Sequence, residues 1–304
     1  MYMLHPIGFS IPKEKICKTI NTKTKILSNL IPGDMKTYIY NTEEDYYNEY
    51  KKSYFAITKK KGGWDCMRHY EILANGCIPY FIDIEKCPIN TMTLLPKNLI
   101  IEGNKLYHKF ENINFNDITK EDIFEYNILQ NKLLDFTSQN LTTDKIALYI
   151  LQKTNFNNVS KILYLSGNTT PDYLRCVTLH GFKTLYGNNC HDHPKIPHIY
   201  KSNNINYTNL YGKGITYTNL LDSSLHNDKL NNTILEDIKN KYYDIVIYGS
   251  YHRGMPYYSL VCKIYKPNEI ILICGEDLHK CSNLHNCDYN EYLKKGNSVF
   301  VREL

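Results

Sequence analysis

The chain has 304 residues and a formal net charge of +5 at pH 7, and 22% of its residues are charged. This length suits two domains of ordinary size, and the weak positive charge excludes a typical nucleic-acid-binding protein but fits an anionic small ligand. The apolar stretch at the first residues is too short and too interrupted for a signal peptide. No apolar run approaches the roughly 20 residues that span a bilayer. The ten cysteines are scattered along the chain, unlike those of a dense disulfide scaffold. We therefore expect a cytoplasmic protein with reduced thiols, no transmembrane segment and no nucleic-acid partner.

The most informative pattern begins at residue 53. A short apolar strand over 54–58 leads into a basic loop, 59–63, that ends in Gly62 and Gly63. A helix over 66–75 and a second strand over 77–82 follow. Together these elements predict a βαβ unit whose first turn is suited to phosphate, because glycine lets the backbone approach a ligand and a helix start carries unpaired N–H groups.

The predicted helix carries a polar face. Asp65 is a suitable N-cap residue, and Gly76 stands where a left-handed residue ends a helix. Arg68, Glu71 and Asn75 follow one another at three- and four-residue spacing, so they share one face. A helix between two apolar strands has little reason to carry such a face unless that face borders a cleft. The alternative is an Arg68–Glu71 ion pair at the surface, which would contribute only about a few tenths of a kcal/mol.

This stretch resembles the donor-binding signature of exostosin-like glycosyltransferases. The matching residues are Ser53, Phe55, Ile57, Lys59, Gly62 or Gly63, Arg68, Glu71, Gly76, Cys77, Ile78 and Pro79. The Arg-x-x-Glu pair followed by Gly-Cys-Ile-Pro is the specific part of the match, and the resemblance covers roughly a third of the chain.

The resemblance implies a nucleotide-sugar donor, with UDP or GDP as the nucleotide. Glu71 would hold the ribose hydroxyls, and Arg68 with the loop glycines would face the diphosphate, since a guanidinium matches phosphate with a planar fork of donors. Lys59 and Lys61 would add positive potential where the leaving diphosphate develops charge, and Asn75 shares the donor-binding face. The resemblance also implies that no metal ion or other cofactor is required.

The second half has its own α/β pattern, which begins after two helices that bridge the halves. The first predicted elements are strand 161–165 and a helix that is capped by Thr170, has Pro171 at its first position and ends near His180–Gly181. They are followed by strand 182–186, a polar loop over 187–211, helix 231–241, strand 244–248, helix 257–264 and strand 269–274. The continuous apolar runs in these strands are typical of a parallel sheet covered on both faces. No G-x-G-x-x-G follows the first of them, which argues against a dinucleotide site.

These elements predict an α/β protein with two Rossmann-like domains that face a cleft, the arrangement called GT-B-like, with the donor-type domain first. The expected divisions are 1–117 for the donor domain, 118–157 for the bridging helices and 158–304 for the second domain.

Polar residues follow the predicted strands of the second half. Ligands of open α/β sheets collect at the carboxyl ends of strands, and a hydroxyl acceptor needs a carboxylate or imidazole within hydrogen-bond reach as its general base. His252, Glu276 and Asp277 are therefore the candidate catalytic residues. The alternative is that they are solvated loop residues, since loops are polar whatever they do.

Two groups of cysteine and histidine raise the question of a zinc site. One is Cys190–His193, and the other contains Cys274, His279, Cys281, His285 and Cys287. Because neither spacing matches a usual paired-ligand pattern, we expect no metal site.

The sequence thus favours a glycosyltransferase that moves a hexose or pentose from a nucleotide-sugar to a hydroxyl group of a glycan or glycoprotein acceptor. Two alternatives stay open. One is a non-catalytic protein that binds nucleotide-sugars or glycans. The other is a bifunctional chain whose second half is an unrelated small-molecule transferase.

Overall fold

Strands and helices alternate along most of the chain in the computed structural model, which describes residues 3–19, 22–202, 204–277 and 289–304. In chain order the strands and α-helices of these ranges are β1 (Leu4–Pro6), β2 (Lys25–Leu27), α1 (Glu43–Lys51), β3 (Ser53–Lys59), α2 (Met67–Ala74), β4 (Ile78–Ile82), α3 (Lys97–Phe110), α4 (Lys120–Asn140), α5 (Thr143–Lys153), β5 (Ile162–Leu165), α6 (Tyr173–Tyr186), β6 (Cys190–His193), α7 (Leu230–Lys239), β7 (Ile245–Tyr248), α8 (Tyr258–Ile264), β8 (Ile270–Cys274), α9 (Tyr289–Lys295) and β9 (Ser298–Val301). The strands form one parallel sheet of three and one of six, which confirms the α/β class and is consistent with Rossmann-like folds.

The three-stranded sheet has the order β2-β3-β4. Phe55, in the central strand β3, pairs with Leu27 of β2 on one side and with Ile78 of β4 on the other. Pro79 follows Ile78 in β4, where it is tolerated because an edge strand loses no ladder bond to a missing N–H group. The carboxyl end of β3 leads directly into the basic loop.

The six-stranded sheet has the order β1-β9-β8-β7-β5-β6. Its strands β5, β7 and β8 are buried along their whole length, as expected for a parallel sheet with both faces covered. The chain runs from β5 outward to β6 and then returns to β7 on the opposite side of β5. The carboxyl ends of β5 and β7 therefore mark the point where the strand order reverses, and open α/β sheets bind ligands in the crevice at such a switch point.

The two halves are not separated at one point of the chain. Strand β1 pairs with β9, with Leu4 opposite Val299, so residues 4–6 belong to the second sheet although the sequence assigns them to the first domain. Residues 118–157 contain α4 and α5. The Tyr126 hydroxyl of α4 donates to the carbonyl of Tyr54 in β3, while α5 packs on α6.

Helix α6 differs from the prediction at both of its ends. Its N-cap is Asp172, whose carboxylate accepts from the N–H group of Arg175, rather than Thr170. The helix does not end near Gly181 but continues to Tyr186, so the predicted strand 182–186 is wrong. Gly181 serves a different purpose: a Cβ there would lie 2.1 Å from the carbonyl oxygen of Thr143, so the glycine permits close packing on α5. The next strand, β6, lies within the predicted loop.

Helix α2 begins one residue later than predicted. Its N-cap is Cys66, and the carboxylate of Asp65 instead accepts a hydrogen bond of 2.8 Å from the N–H group of Phe9. Gly76 follows the helix with φ +60, which confirms the predicted left-handed position. All residues of α2 are buried, so the helix lies between layers rather than at the surface.

No helix in the described ranges combines the length and the apolar composition that crossing a membrane would require.

Candidate functional site at the carboxyl edges of the two sheets

The loop that follows β3 meets the segments that follow β8 and β9. The Glu303 carboxylate accepts hydrogen bonds from the backbone N–H groups of Trp64 (3.0 Å) and Asp65 (2.9 Å). The Arg302 guanidinium donates to the carbonyl of Asp65 and, at 3.0 Å, to that of Gly275. Because carboxyl edges are where open parallel sheets bind ligands, this meeting place is the candidate site.

Neighbouring carboxylates explain why the loop carries two glycines. A Cβ at Gly62 would lie 2.3 Å from Oδ2 of Asp277, and one at Gly63 would lie 2.3 Å from Oε1 of Glu303. The glycines and the N–H groups beyond them, which the sequence assigns to a diphosphate, therefore already contact carboxylates of the protein. The bend does attract negative charge, as exposed N–H groups do, and the chain itself supplies that charge.

Arg68 is a buried guanidinium that makes no ion pair with a carboxylate of the described residues. The residue is 8% exposed, its Nε lies 3.4 Å from the hydroxyl of Thr58, and its Nη2 has no hydrogen-bond partner among the described residues. No carboxylate of the described residues, including that of Glu71, lies within 4.0 Å of the Arg68 guanidinium, which is the distance that defines an ion pair. A guanidinium stays charged when buried, and an unpaired buried charge is costly. Both residues are buried and make no ion pair with each other, so the alternative of a surface Arg68–Glu71 pair is wrong.

Glu71 is buried beside Arg68, with 5% of the residue exposed. Each of its oxygens accepts from a hydroxyl: Thr216 donates to Oε1 at 2.5 Å, and Tyr46 donates to Oε2 at 2.8 Å. Burial raises the pKa of Glu71, and the two hydroxyls and the charge of Arg68 offset only part of that effect. The carboxylate thus binds two hydroxyl groups, as the resemblance implies for a ribose diol, but here both hydroxyls belong to the protein.

The other predicted donor-binding residues lie in two settings. Asn75 is buried at the end of α2, where its Nδ2 donates to the carbonyl of Glu71 at 2.8 Å. Lys59 and Lys61 are exposed on the basic loop. The lysines are therefore accessible to a ligand from solvent, whereas Asn75 is part of the helix terminus.

His252 and Glu276, two of the three predicted catalytic residues, lie together at the carboxyl edge of the six-stranded sheet. His252 Nε2 is 3.0 Å from Glu276 Oε1, and the imidazole side chain is only 3% exposed. Asp172 adds a second carboxylate to this group. Its Oδ2 accepts from the Ser250 hydroxyl at 2.7 Å, lies 2.9 Å from Nε of Arg253 and lies 3.9 Å from Nε2 of His252.

Both carboxylates beside His252 stay ionised at neutral pH. Burial alone would raise the pKa of Asp172, but the charges of Arg175 and Arg253 and the Ser250 hydroxyl outweigh it and lower the pKa. The hydrogen bond with His252 lowers the pKa of Glu276 against the effect of burial. Asp172 and Glu276 therefore place negative charge near Nε2 of His252.

Asp277, the third predicted catalytic residue, lies in a different contact. Its carboxylate pairs with Arg302 and packs against Gly62, and 59% of its side chain is exposed. His252 and Glu276 therefore lie together, whereas Asp277 lies apart from them, where the loop after β3 contacts the segments after β8 and β9.

The described part of the chain holds no group of three or more His, Cys, Asp or Glu side chains arranged to bind a metal ion. The Cys190–His193 group is strand β6, in which alternate residues are buried. Since neighbouring side chains of a strand point to opposite faces, these four cannot converge on one ion. In the second group, His279, Cys281, His285 and Cys287 lie outside the described residues.

Asp172, Thr216 and Glu303 are absent from the set of site residues predicted from sequence. Asp172 carries a local signal, because an aspartate directly before a helix is a favoured N-cap. Thr216 and Glu303 reach the α2 region from positions 145 and 238 residues away in sequence. No local pattern marks such contacts.

Two surface grooves lie away from this site. One, of about 490 Å³, is bounded by Ile89, Leu95 and Phe136, and one of about 280 Å³ is bounded by Tyr80 and Asn104. None of the predicted site residues lines either groove, so we assign no role in the candidate site to them.

Comparison with known proteins adds no relative. The chain matches no protein-family model, no curated protein and no solved structure. Its function must therefore be argued from the geometry of the site itself.

Proposed function

We propose that this protein is a glycosyltransferase that transfers a sugar from a UDP- or GDP-sugar to a hydroxyl group of a glycan or glycoprotein acceptor. In this proposal the two parallel sheets act as the two halves of a GT-B-like enzyme, with the donor bound at α2 and the acceptor bound at the carboxyl edge of the six-stranded sheet. The contacts of Trp64 and Asp65 with Glu303 support the proposal, because they bring the carboxyl edges of the two sheets together.

The observation that carries the proposal is the buried guanidinium of Arg68, which has no ion-pair partner in the described part of the chain and lies one helical turn from Glu71. A charge of this kind is expensive to bury unless a counter-charge arrives, and a diphosphate supplies one in the geometry that guanidinium groups match best. The exposed Lys59 and Lys61 add positive charge at the open side of the loop, where a leaving nucleoside diphosphate would be stabilised.

The acceptor half of the proposal rests on His252. The imidazole takes the proton of the acceptor hydroxyl while that oxygen bonds to the anomeric carbon, and the bond from this carbon to the diphosphate breaks. Glu276 and Asp172 hold the protonated imidazole in place by their charge. Asp277 has no part in proton transfer in this scheme, because it pairs with Arg302.

Arg68→Met tests the donor half. Titration calorimetry with UDP and with GDP should detect binding of at least one nucleotide to the wild-type protein. The variant should lose tenfold or more in affinity, since a hydrogen bond to a charged group contributes about 1.5–3 kcal/mol. Its melting temperature should not fall, because no ion pair is lost.

The matched control in thermal denaturation is Arg175→Met. Arg175 is fully buried, but its Nη1 donates to the carbonyl of Asn168 at 2.7 Å and its Nη2 donates to that of Thr170. This variant should melt earlier than the wild type. Equal nucleotide affinity of wild type and Arg68→Met, or no binding of either nucleotide to the wild type, would contradict the proposal.

A non-catalytic nucleotide-sugar-binding protein is the second candidate. The low exposure of the His252 side chain, 3%, favours it, because a general base must reach its acceptor. The two functions differ in turnover. If UDP- or GDP-sugars bind but no nucleoside diphosphate is released with water or with a broad panel of glycan acceptors, the binding function is the correct one.

A further inference from the structure

A strap formed by residues 207–219 crosses from the second half of the chain to the helices of the first half. It lies between β6 and α7 and consists of two short 3₁₀ turns and a bend. Five of its residues have left-handed backbone angles: Gly212, Lys213, Gly214, Thr216 and Asn219. Tyr211 at the bend is 73% exposed.

Thr216 is the residue by which the strap closes over Glu71. It is fully buried, and its hydroxyl donates to Oε1 of Glu71 at 2.5 Å and lies 2.7 Å from the hydroxyl of Tyr47. Its backbone N–H donates to Oε2 of Glu43 at 2.8 Å. One residue thus holds two carboxylates of the first half.

The second attachment of the strap is Lys213. Its Nζ donates to the carbonyls of Tyr38 (3.2 Å) and Tyr40 (2.7 Å) and to Oδ1 of Asn41 (2.8 Å). These contacts and those of Thr216 are polar. Polar groups that leave one another can bind water instead, so these two attachments can separate. Tyr217 is fully buried in the apolar core, with its ring 4.4 Å from that of Tyr173, and it anchors the strap when they do.

The backbone of Thr216 is disfavoured in this position. Its φ is +75, and for a β-branched residue a positive φ is a genuine outlier. Strain of this kind persists only where surrounding contacts enforce it, and it is concentrated at ligand clamps and switch regions. Opening of the strap would relieve the strain and would free Oε1 of Glu71.

We infer that the strap is a gate in which the Thr216 hydroxyl occupies the place of a ligand hydroxyl on Glu71. A ligand with hydroxyl groups must displace Thr216 to reach the carboxylate, so the strap sets both access and affinity at this site. The identity of that ligand as a nucleotide rests on the proposed function, whereas the closure of the gate by Thr216 does not.

Thr216→Val tests the gate, because valine keeps the shape of threonine and removes only the hydroxyl. Hydrogen–deuterium exchange of the ligand-free protein should become about tenfold faster over residues 207–219, since the open state is no longer opposed by the bond to Glu71. The matched control is Thr137→Val. Thr137 is also fully buried, but its hydroxyl donates to the carbonyl of Leu133 within α4, so its loss should leave exchange of the strap unchanged.

Titration of UDP and GDP then separates the gate from the proposed function. If Thr216→Val accelerates exchange and binds a nucleotide about tenfold more tightly than the wild type, gate and nucleotide site are both supported. If exchange accelerates but neither nucleotide binds either protein, the gate stands and the proposed function fails. Unchanged exchange of the strap in Thr216→Val, or equal acceleration in Thr137→Val, overturns the inference whatever the nucleotides do.

Discussion

The Glu71 carboxylate combines deep burial with partners that do not carry full charge. Removal from water raises its pKa because burial penalises the ionised form, and the hydroxyls of Thr216 and Tyr46 compensate only partly. The folded protein therefore tolerates a neutral group at this position. A ligand, by contrast, gains from the charge, since hydrogen bonds to a carboxylate are roughly twice as strong as neutral ones.

Glu71→Gln should separate these two effects. We expect the melting temperature to stay within a few degrees of the wild type, because the substitution preserves shape and removes a charge that burial disfavours. Nucleotide affinity in calorimetry should fall by about 1.5–3 kcal/mol. Early unfolding with unchanged affinity would show that Glu71 is only a structural partner of its neighbours.

The spacing of Arg68, Glu71 and Asn75 is enough to predict that they share one helix face, and in the structure all three residues are buried. What the spacing does not predict is the partner of each side chain. Thr216 and Glu303 arrive through folding of distant segments, and their side chains carry no local signal of that destination. The sequence therefore predicts which residues are candidates for the site, but it does not predict which side chains they contact.

At the scale of elements, Gly181 shows how one residue type supports opposite predictions. A glycine after an apolar helical pattern indicates a helix end, and this reading gives a strand at 182–186. In the structure the helix continues, because the glycine faces the Thr143 carbonyl of α5 and has no role in ending α6. The actual end is Gly187, with φ +53. Sequence periodicity locates the helix, but only packing tells which glycine ends it.

Gly181→Ala has an expected sign that differs from the general rule. In an exposed helix interior, alanine is more favourable than glycine by roughly 0.8–1.0 kcal/mol. Here the new Cβ would meet the Thr143 carbonyl at 2.1 Å, so overpacking should lower the free energy of unfolding by about 1–3 kcal/mol. Urea denaturation gives the value. A variant as stable as the wild type would mean that α5 and α6 do not approach so closely.

At the scale of the whole molecule, a buried group of charges connects the two sheets. Asp65 accepts from Phe9, the Arg302 guanidinium binds the Asp65 carbonyl, and Glu303 holds the neighbouring N–H groups. Burial raises the pKa of Asp65 to about 6, and the charge of Arg302 offsets part of that effect. None of this is visible in the sequence, because Arg302 and Glu303 lie far from Phe9 and Asp65 along the chain. The parallel α/β class, by contrast, is predictable from the apolar runs of the strands alone.

The raised pKa of Asp65 makes stability depend on pH with a defined sign. The stabilisation of the folded protein by protonated Asp65 is fully present below the pKa of the unfolded state, near 3.8. It is lost as the pH rises through the pKa of the folded state, about 6. The free energy of unfolding of Asp65→Asn, relative to that of the wild type, should therefore rise by about 2–3 kcal/mol between pH 4 and pH 7. This follows because one pKa unit corresponds to about 1.36 kcal/mol. Denaturant titrations at several pH values measure this difference.

The exposed Asp135→Asn is the control for that experiment. It removes one carboxylate from an exposed position and so controls for the change in net charge. A constant difference between Asp65→Asn and the wild type would show that Asp65 titrates like a solvent-exposed carboxyl group.

The hydrogen bond from Trp64 to Glu303 joins residues 239 positions apart, and this separation has a consequence for biosynthesis. A nascent chain can complete β3, α2 and β4 long before the partner of their loop leaves the ribosome. Contacts of such high order are slow to form, since loop-closure entropy opposes them. The basic bend therefore acquires its final conformation in one of the last steps of folding, and a truncated or stalled chain would carry the lysines and glycines of the site without the anion that shapes them.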